Sequence, residues 1–328
     1  MTPNVSVVIA TYNRGHLLKN AIDSVLAQTY GDYELIIADD GSSDDTAALV
    51  KSYRDGSSPH HDRIQYFYQE NQGKSVALNN ALAKARGKWI AFLDSDDVWL
   101  PEKLEWQFRA IEKFPECGVC FTDCQFVNNP KMDTTVFEFF GRHYDDLLAK
   151  LPSPAMLLLE SPCALIITLL CRKDVLSKSG TFDPVLRFTE DYDFTFRMAA
   201  FTDFCLVNLP LAMADRSEKR HAGPSVIWDD VEFRLKCEQY RFEKWLGGGE
   251  GLTAMVRKRI MRGLRSVHSG WANWHLAARD YGEARRAIWA AARYEMTANL
   301  VAKLVLTTLC PSVMRQIALR RGFEVRHF

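Results

Sequence analysis

The feature that most constrains this chain is the alternation of short β-branched runs with helical patterns through its first 125 residues. Val5–Ala10 reads as a buried strand, and Leu17–Gln28 then places Leu18, Ile22, Val25 and Leu26 on one helical face. Glu34–Ala38 reads as a second strand, and Asp44–Tyr53 as a helix with Ser42 and Ser43 as capping candidates. Ile64–Tyr68, the Ala/Leu-rich Ser75–Ala85 and Trp89–Leu93 repeat the alternation, with Arg86-Gly87 stopping the helix between them. Pro101 is expected in the first turn of a further helix. Strands alternating with helices predict an α/β fold with a doubly wound, mostly parallel sheet and helices on both faces. Ligands of such sheets bind beyond the carboxyl ends of the strands. That rule singles out Thr11–Arg14, Asp39–Ser42 and Asp94–Asp97, each directly after a strand.

The later sequence is less regular. Pro152, Pro154, Pro162, Pro184, Pro210 and Pro224 are scattered between about residues 126 and 225, where irregular loops are expected. From Trp228 onward strand signals vanish. Gly247–Gly249 punctuates long helical patterns there, and Trp271–Met296 reads as a helical hairpin turning at Tyr281-Gly282. The expected division is therefore 1–225, in halves of about 1–125 and 126–225, followed by a helical C-terminal region 226–328.

Formal net charge is zero over 328 residues, so composition supplies no pull towards nucleic acid, and no nucleic-acid partner is expected. Charge is nonetheless uneven: from Leu252 onward fourteen Lys/Arg face four Asp/Glu. Arg257, Lys258, Arg259, Arg262 and Arg265, interleaved with Val256, Ile260, Met261 and Leu264, fit a helix lying on a membrane surface. They fit equally a helix packed on the protein with its charged face in water. Met1–Asn4 runs directly into a strand without the pattern of a signal peptide. The longest apolar candidate, Met156–Cys171, is interrupted by Glu160 and Pro162, short of the roughly 18 residues a membrane span needs. The cysteines, Cys117, Cys120 and Cys124 among them, show no zinc or disulfide framework and read as buried thiols. The expected location is cytoplasmic, with peripheral contact on the inner face of the cell membrane through the basic C-terminal helices.

Asp94-Ser95-Asp96-Asp97 brings three like charges to a sheet edge. A divalent cation resolves that repulsion, and carboxylate oxygens suit Mg²⁺ or Mn²⁺. The competing reading is a polar turn, with Asp97 capping the next helix. These four residues by themselves leave both open.

Five ordered motifs give the context. Ser6–Arg14 (SVVIATYNR), Ala38–Asp44 (ADDGSSD) and Ile90–Asp97 (IAFLDSDD), then Thr189–Asp193 (TEDYD) and Arg220–Ser225 (RHAGPS), closely resemble glycosyltransferase family 2 in order and spacing. The resemblance implies a GT-A fold, a nucleotide-sugar donor (a UDP-sugar above all), a saccharide or lipid-linked saccharide acceptor and inversion at the anomeric carbon. It places the donor's base and ribose against Thr11, Tyr12 and Arg14, with Asp40 accepting from the base. It gives Asp96 the metal, Asp94 the metal or the ribose, and His221 the completion of the metal site or the phosphates. Ser95 and Asn79 fall in donor-contacting motifs. Asp191 becomes the base that takes the acceptor proton, and Glu190 orients hydroxyls. The loops of 126–225 would then bind acceptor, in an enzyme of surface polysaccharide assembly.

One departure stands out: the family's Ala-Arg-Asn is here Ala77-Leu78-Asn79, and Lys74 would supply the missing cation. Gly73-Lys74-Ser75 lacks the upstream glycine of a P-loop, and no Gly-x-Gly-x-x-Gly follows the first strand. The remaining rival is a non-catalytic nucleotide-sugar-binding or assembly subunit on the same fold.

Overall fold

The computed structural model describes residues 2–55, 61–129, 132–151, 153–217, 230–248 and 252–320. The chain forms two compact units, Met1–Arg220 and His221–Phe328.

Among the described residues of the first unit, nine strands form one sheet: β1 Val5–Thr11, β2 Tyr33–Asp39, β3 Ile64–Tyr68, β4 Trp89–Phe92, β5 Val98–Trp99, β6 Cys117–Val127, β7 Leu148–Leu151, β8 Leu169–Arg172 and β9 Asp203–Asp215. Their order is β3-β2-β1-β4-β8-β6-β9-β5, with β7 paired to β9. β3, β2, β1 and β4 run parallel, and β2 and β4 are buried along their whole length. Such continuous apolar runs are what strands covered on both faces require. Beyond β4 the sheet turns mixed: β8 is antiparallel to β4 and β6, β6 is parallel to β9, and β5 and β7 are antiparallel to β9.

Register sets up the ligand edge. Thr11 lies opposite Asp39 and Val8 opposite Phe92, so the chain leaves β1, β2 and β4 side by side. The entry to β4 depends on Gly87, where a Cβ would fall 2.5 Å from the Ser6 amide nitrogen. Among the described residues eight helices accompany these strands: α1 Gly15–Leu26, α2 Thr46–Arg54, α3 Lys74–Lys84, α4 Lys103–Lys113, α5 Val136–Phe139, α6 Pro154–Glu160, α7 Lys173–Ser179 and α8 Glu190–Met198. α3 packs on β1 and β2, and α4 on β6 and β9.

Several expectations shift. Pro101 lies in the turn before α4, which starts at Lys103; its carbonyl accepts from Thr29 N at 3.0 Å. Asp97 caps nothing, since Glu102 holds the N-cap of α4. Ser42 and Ser43 do not cap α2, whose N-cap is Asp45. The stretch 126–225 is far more ordered than its prolines suggest. It contributes β7, β8, β9 and four helices, and β9 accommodates Pro210 where its register against β6 shifts.

The second unit is helical: α9 Val231–Gly247, α10 Ala254–Ala277, α11 Tyr281–Ala292, α12 Ala298–Leu309 and α13 Pro311–Arg320. α10 packs against α9, α11 and α13, while α12 packs against α11 and α13. Val256, Ile260 and Leu264 are buried, so the apolar side of the basic segment on α10 faces protein. The membrane-surface reading of that segment is replaced by the packed one. The turn of the α10–α11 hairpin lies earlier than Tyr281-Gly282: Arg279 takes a left-handed φ of 64° and Asp280 caps α11 through Glu283 N. Seven cysteines are buried and Cys310 is exposed. Among the described residues no helix is long and apolar enough to cross a membrane.

Candidate active site at the sheet edge

β4 ends at Phe92, Leu93 N still donates to Val8 O, and the chain then turns with Asp97 N donating to Asp94 O. This turn gathers Asp94, Asp96 and Asp97, each presenting a carboxylate oxygen within 4.8 Å of the others. Lys74 Nζ lies 2.7 Å from Asp94 Oδ1, and Arg14 Nη1 2.8 Å from Asp96 Oδ2. Burial works against an ionised Asp94, but the Lys74 charge and hydrogen bond outweigh it and hold the carboxyl below its ordinary range. Asp97 goes the other way. Burial, then the charges of Asp96 and Asp94, push it well above the carboxylate range, although its Oδ1 accepts from Asp215 N at 3.1 Å. Arg216, just after β9, adds its positive charge to Asp94 and Asp97 and stacks over Phe126 at 5.2 Å. Ser95 is buried within the turn.

A second acidic pair meets the same lysine. Thr189 precedes α8 in a left-handed conformation (φ 64°), and Glu190 and Asp191 occupy the helix's first turn, where carboxylates suit the macrodipole. Lys74 Nζ lies 3.7 Å from Glu190 Oε1. Burial raises Glu190 to about 7; Lys74 opposes that rise and the Asp191 charge adds to it. Asp191 is likewise raised by burial, against Lys74, with Asp94 adding. Lys74 thus stands between the turn after β4 and the start of α8. The hydroxyl oxygens of Thr11 and Thr189 are buried and without a hydrogen-bond partner.

At the end of β1 Tyr12 is exposed, and Asn13 takes a φ of 50° while its Oδ1 accepts from Ser43 N at 2.7 Å. Asp40 is buried. It accepts from Gln69 Nε2 (2.8 Å), Gln72 N (2.9 Å) and Gly73 N (2.8 Å), holding the loop that delivers Lys74. A carboxylate offers about four acceptor positions, so room for one further donor remains. Gly41 (φ 89°) is pressed against that loop, and a Cβ there would fall 2.8 Å from Asn71 N. Asn79 bonds both ways with the Phe182 backbone, at 2.8 and 2.9 Å, which fastens α3 to the segment ahead of α8. His221 lies outside the described residues. Sequence reasoning missed Arg216 and the burial of Asp97; Arg216 has no local signal, since it joins the cluster only through β9 pairing with β5 and β6.

The family model for glycosyl transferase family 2 matches residues 6–166. Residues 6–166 are a glycosyltransferase family 2 domain. An uncharacterized glycosyltransferase of Rickettsia prowazekii is 32% identical over 213 residues, 60% of this chain and 58% of that protein. The chain therefore spans less than two thirds of that relative's length. The Escherichia coli UDP-Glc:alpha-D-GlcNAc-diphosphoundecaprenol beta-1,3-glucosyltransferase WfgD is 42% identical over 126 residues, 38% of this chain and 47% of that one. The Staphylococcus aureus TarS 1–349 structure in complex with UDP-GlcNAc superposes with a TM-score of 0.69 at 18% identity, covering 98% of this chain and 93% of that one. That likeness establishes the fold, which is GT-A.

Proposed function

We propose that this chain is an inverting glycosyltransferase that moves a sugar from a nucleoside-diphosphate donor, a UDP-sugar, to a hydroxyl of a saccharide or lipid-linked saccharide in surface polysaccharide assembly. The observation that carries the reading is the single lysine, Lys74, shared by Asp94 of the acidic turn and Glu190 of the acidic pair. The likeness to WfgD, named for UDP-Glc, and to TarS in complex with UDP-GlcNAc supports a uridine donor. We place the enzyme in the cytoplasm, working at the inner face of the membrane.

Asp94, Asp96 and Asp97 fit a divalent cation: their oxygens converge, all are hard ligands, and a cation there would relieve the repulsion that Asp96 and Asp94 exert on Asp97. His221 is proposed to complete that site. Bound there, Mn²⁺ or Mg²⁺ supplies positive charge against the departing diphosphate. Tyr12 offers its exposed ring to the base, Asp40 its remaining acceptor position to the ring N–H, and Thr11 its unpartnered hydroxyl to the ribose. Ser95 and Asn79 shape the donor pocket. Arg14 and Lys74, whose present partners are carboxylates, face the diphosphate once the donor arrives. Asp191 takes the proton from the acceptor oxygen as that oxygen bonds to the anomeric carbon and the nucleoside diphosphate leaves. Glu190 orients the hydroxyls.

The test is a panel of nucleotide sugars screened for binding with Mn²⁺ present, followed by transfer to saccharide and lipid-linked acceptors. Saturable donor binding and metal-dependent transfer are expected. Nucleotide binding without turnover on any acceptor would favour the non-catalytic subunit.

A further inference from the structure

α12 is built inside out. A helix at a protein surface ordinarily buries its apolar stripe and turns its charges to water. Here the buried positions are Leu300, Lys303 and Thr307, and the helix's one charged residue, Lys303, points inward to donate to Ser269 O and Oγ at 3.0 and 3.1 Å. Val301, Val305, Leu306 and Leu309 are exposed, Leu309 by 72%. α13, packed against α12, adds exposed Val313 and Ile317. A scattered exposed aliphatic residue needs no explanation, but a whole helical face without a charge does.

The surrounding charge identifies the occupant. Residues 252–328 carry fourteen Lys/Arg against four Asp/Glu. On α11, the other neighbour of α12, Arg285 and Arg286, with Arg293 at its C-cap, are exposed around Trp289, itself 54% exposed. Aliphatic residues beside a tryptophan and arginines suit the boundary between acyl chains and anionic headgroups. A second copy of the chain is disfavoured, because a twofold contact sets one strongly basic surface against its equal. We propose that the outward faces of α11, α12 and α13 dock on an anionic lipid surface, with the aliphatic residues of α12 and α13 entering it and the α11 arginines meeting the headgroups. The docking deepens the transferase reading and rests on it for its purpose, which is access to a lipid-borne acceptor.

The test uses the full chain with phosphatidylcholine vesicles, with and without about 30% phosphatidylglycerol. Co-sedimentation with the mixed vesicles, weakened by high salt, is expected. Val301→Ser, Val305→Ser and Leu309→Ser together should lower binding at least about tenfold, since each removes methyl and methylene groups from the bilayer boundary. These positions are exposed, and circular dichroism with a thermal melt checks that the variant folds. Donor hydrolysis without lipid should be unchanged in the variant. Failure of the wild-type chain to sediment, or equal binding by the variant, overturns the proposal. So does a change in oligomeric state of the variant without lipid, which would assign the face to a protein partner. Vesicle binding without any donor turnover would leave the docking standing and sink the catalytic reading instead.

Discussion

Lys74 Nζ lies 2.7 Å from Asp94 Oδ1, an ion pair that ties the first residue of α3 to the turn after β4. The same ammonium group reaches Glu190 at 3.7 Å, and its charge lowers Asp94, Glu190 and Asp191 against their burial. Lys74→Met removes that charge. The pH at which transfer sets in should then move upward, because the carboxylates that must be ionised lose their counter-charge. Donor affinity should fall by about tenfold as a diphosphate contact is lost. Profiles of kcat/KM against pH for both proteins check this; an unshifted acid limb would remove Lys74 from the site.

The acid limb itself carries a sign. Glu190 is raised to about 7 and Asp191 is raised too, so both are protonated at acid pH and ionise on the way to neutrality. The acid limb of transfer should therefore lie above the ordinary carboxylate range, with the Glu190 contribution near pH 7. Asp191→Asn should lower kcat by about 10²–10⁴ while sparing donor affinity, the range general-base removal costs. Glu190→Gln should raise KM for the acceptor more than it lowers kcat. The opposite split in steady-state kinetics would exchange the two roles.

Asp96 and Asp97 should separate in a thermal melt with and without Mn²⁺. A cation that binds only the folded chain at about 100 times its Kd stabilises by about 2.7 kcal/mol. Asp96→Ala should abolish that gain and weaken metal-dependent donor binding. Asp97→Asn keeps an acceptor for Asp215 N and removes a buried like charge, so without metal its midpoint should match or exceed the wild type.

Much of this arrangement is legible in the sequence. β1, β2 and β4 announce themselves as continuous apolar runs because both their faces are covered; Thr11–Arg14 ends the first, and the acidic motifs follow the other two. β8 and β9 were hidden for physical reasons. Leu169–Arg172 is a four-residue strand at the end of a longer apolar stretch, where periodicity cannot tell strand from helix. β9 contains Pro210, a residue that argues against a strand unless a register irregularity absorbs it, as happens against β6. The meeting of Lys74 with Glu190 and the approach of Arg216 to the acidic turn are products of tertiary pairing, which no local pattern encodes.

The last prediction concerns the core. Lys103 is fully buried on α4, with its Nζ donating to Gln107 Oε1 at 2.9 Å and lying 4.0 Å from the Trp99 ring centroid. No carboxylate partners it among the described residues, and burial lowers its pKa from 10.5 to about 7. The unfolded chain then holds a proton that the folded chain releases throughout the interval from about 7 to 10.5. By linkage, Lys103's contribution makes stability rise with pH across that interval and stay flat below it, where both states are protonated. The fall from 10.5 to about 7 bounds this contribution at roughly 5 kcal/mol. Lys103→Met should flatten the slope of unfolding free energy against pH between about 7 and 10. The net change at neutral pH should be modest, because stranding Gln107 Oε1 costs about 1–3 kcal/mol while the charge penalty disappears. Denaturant melts at pH 6, 7.5 and 9 are the measurement, with these set points spanning about the titration interval. An unchanged slope in the variant would mean that Lys103 keeps its proton in the folded core.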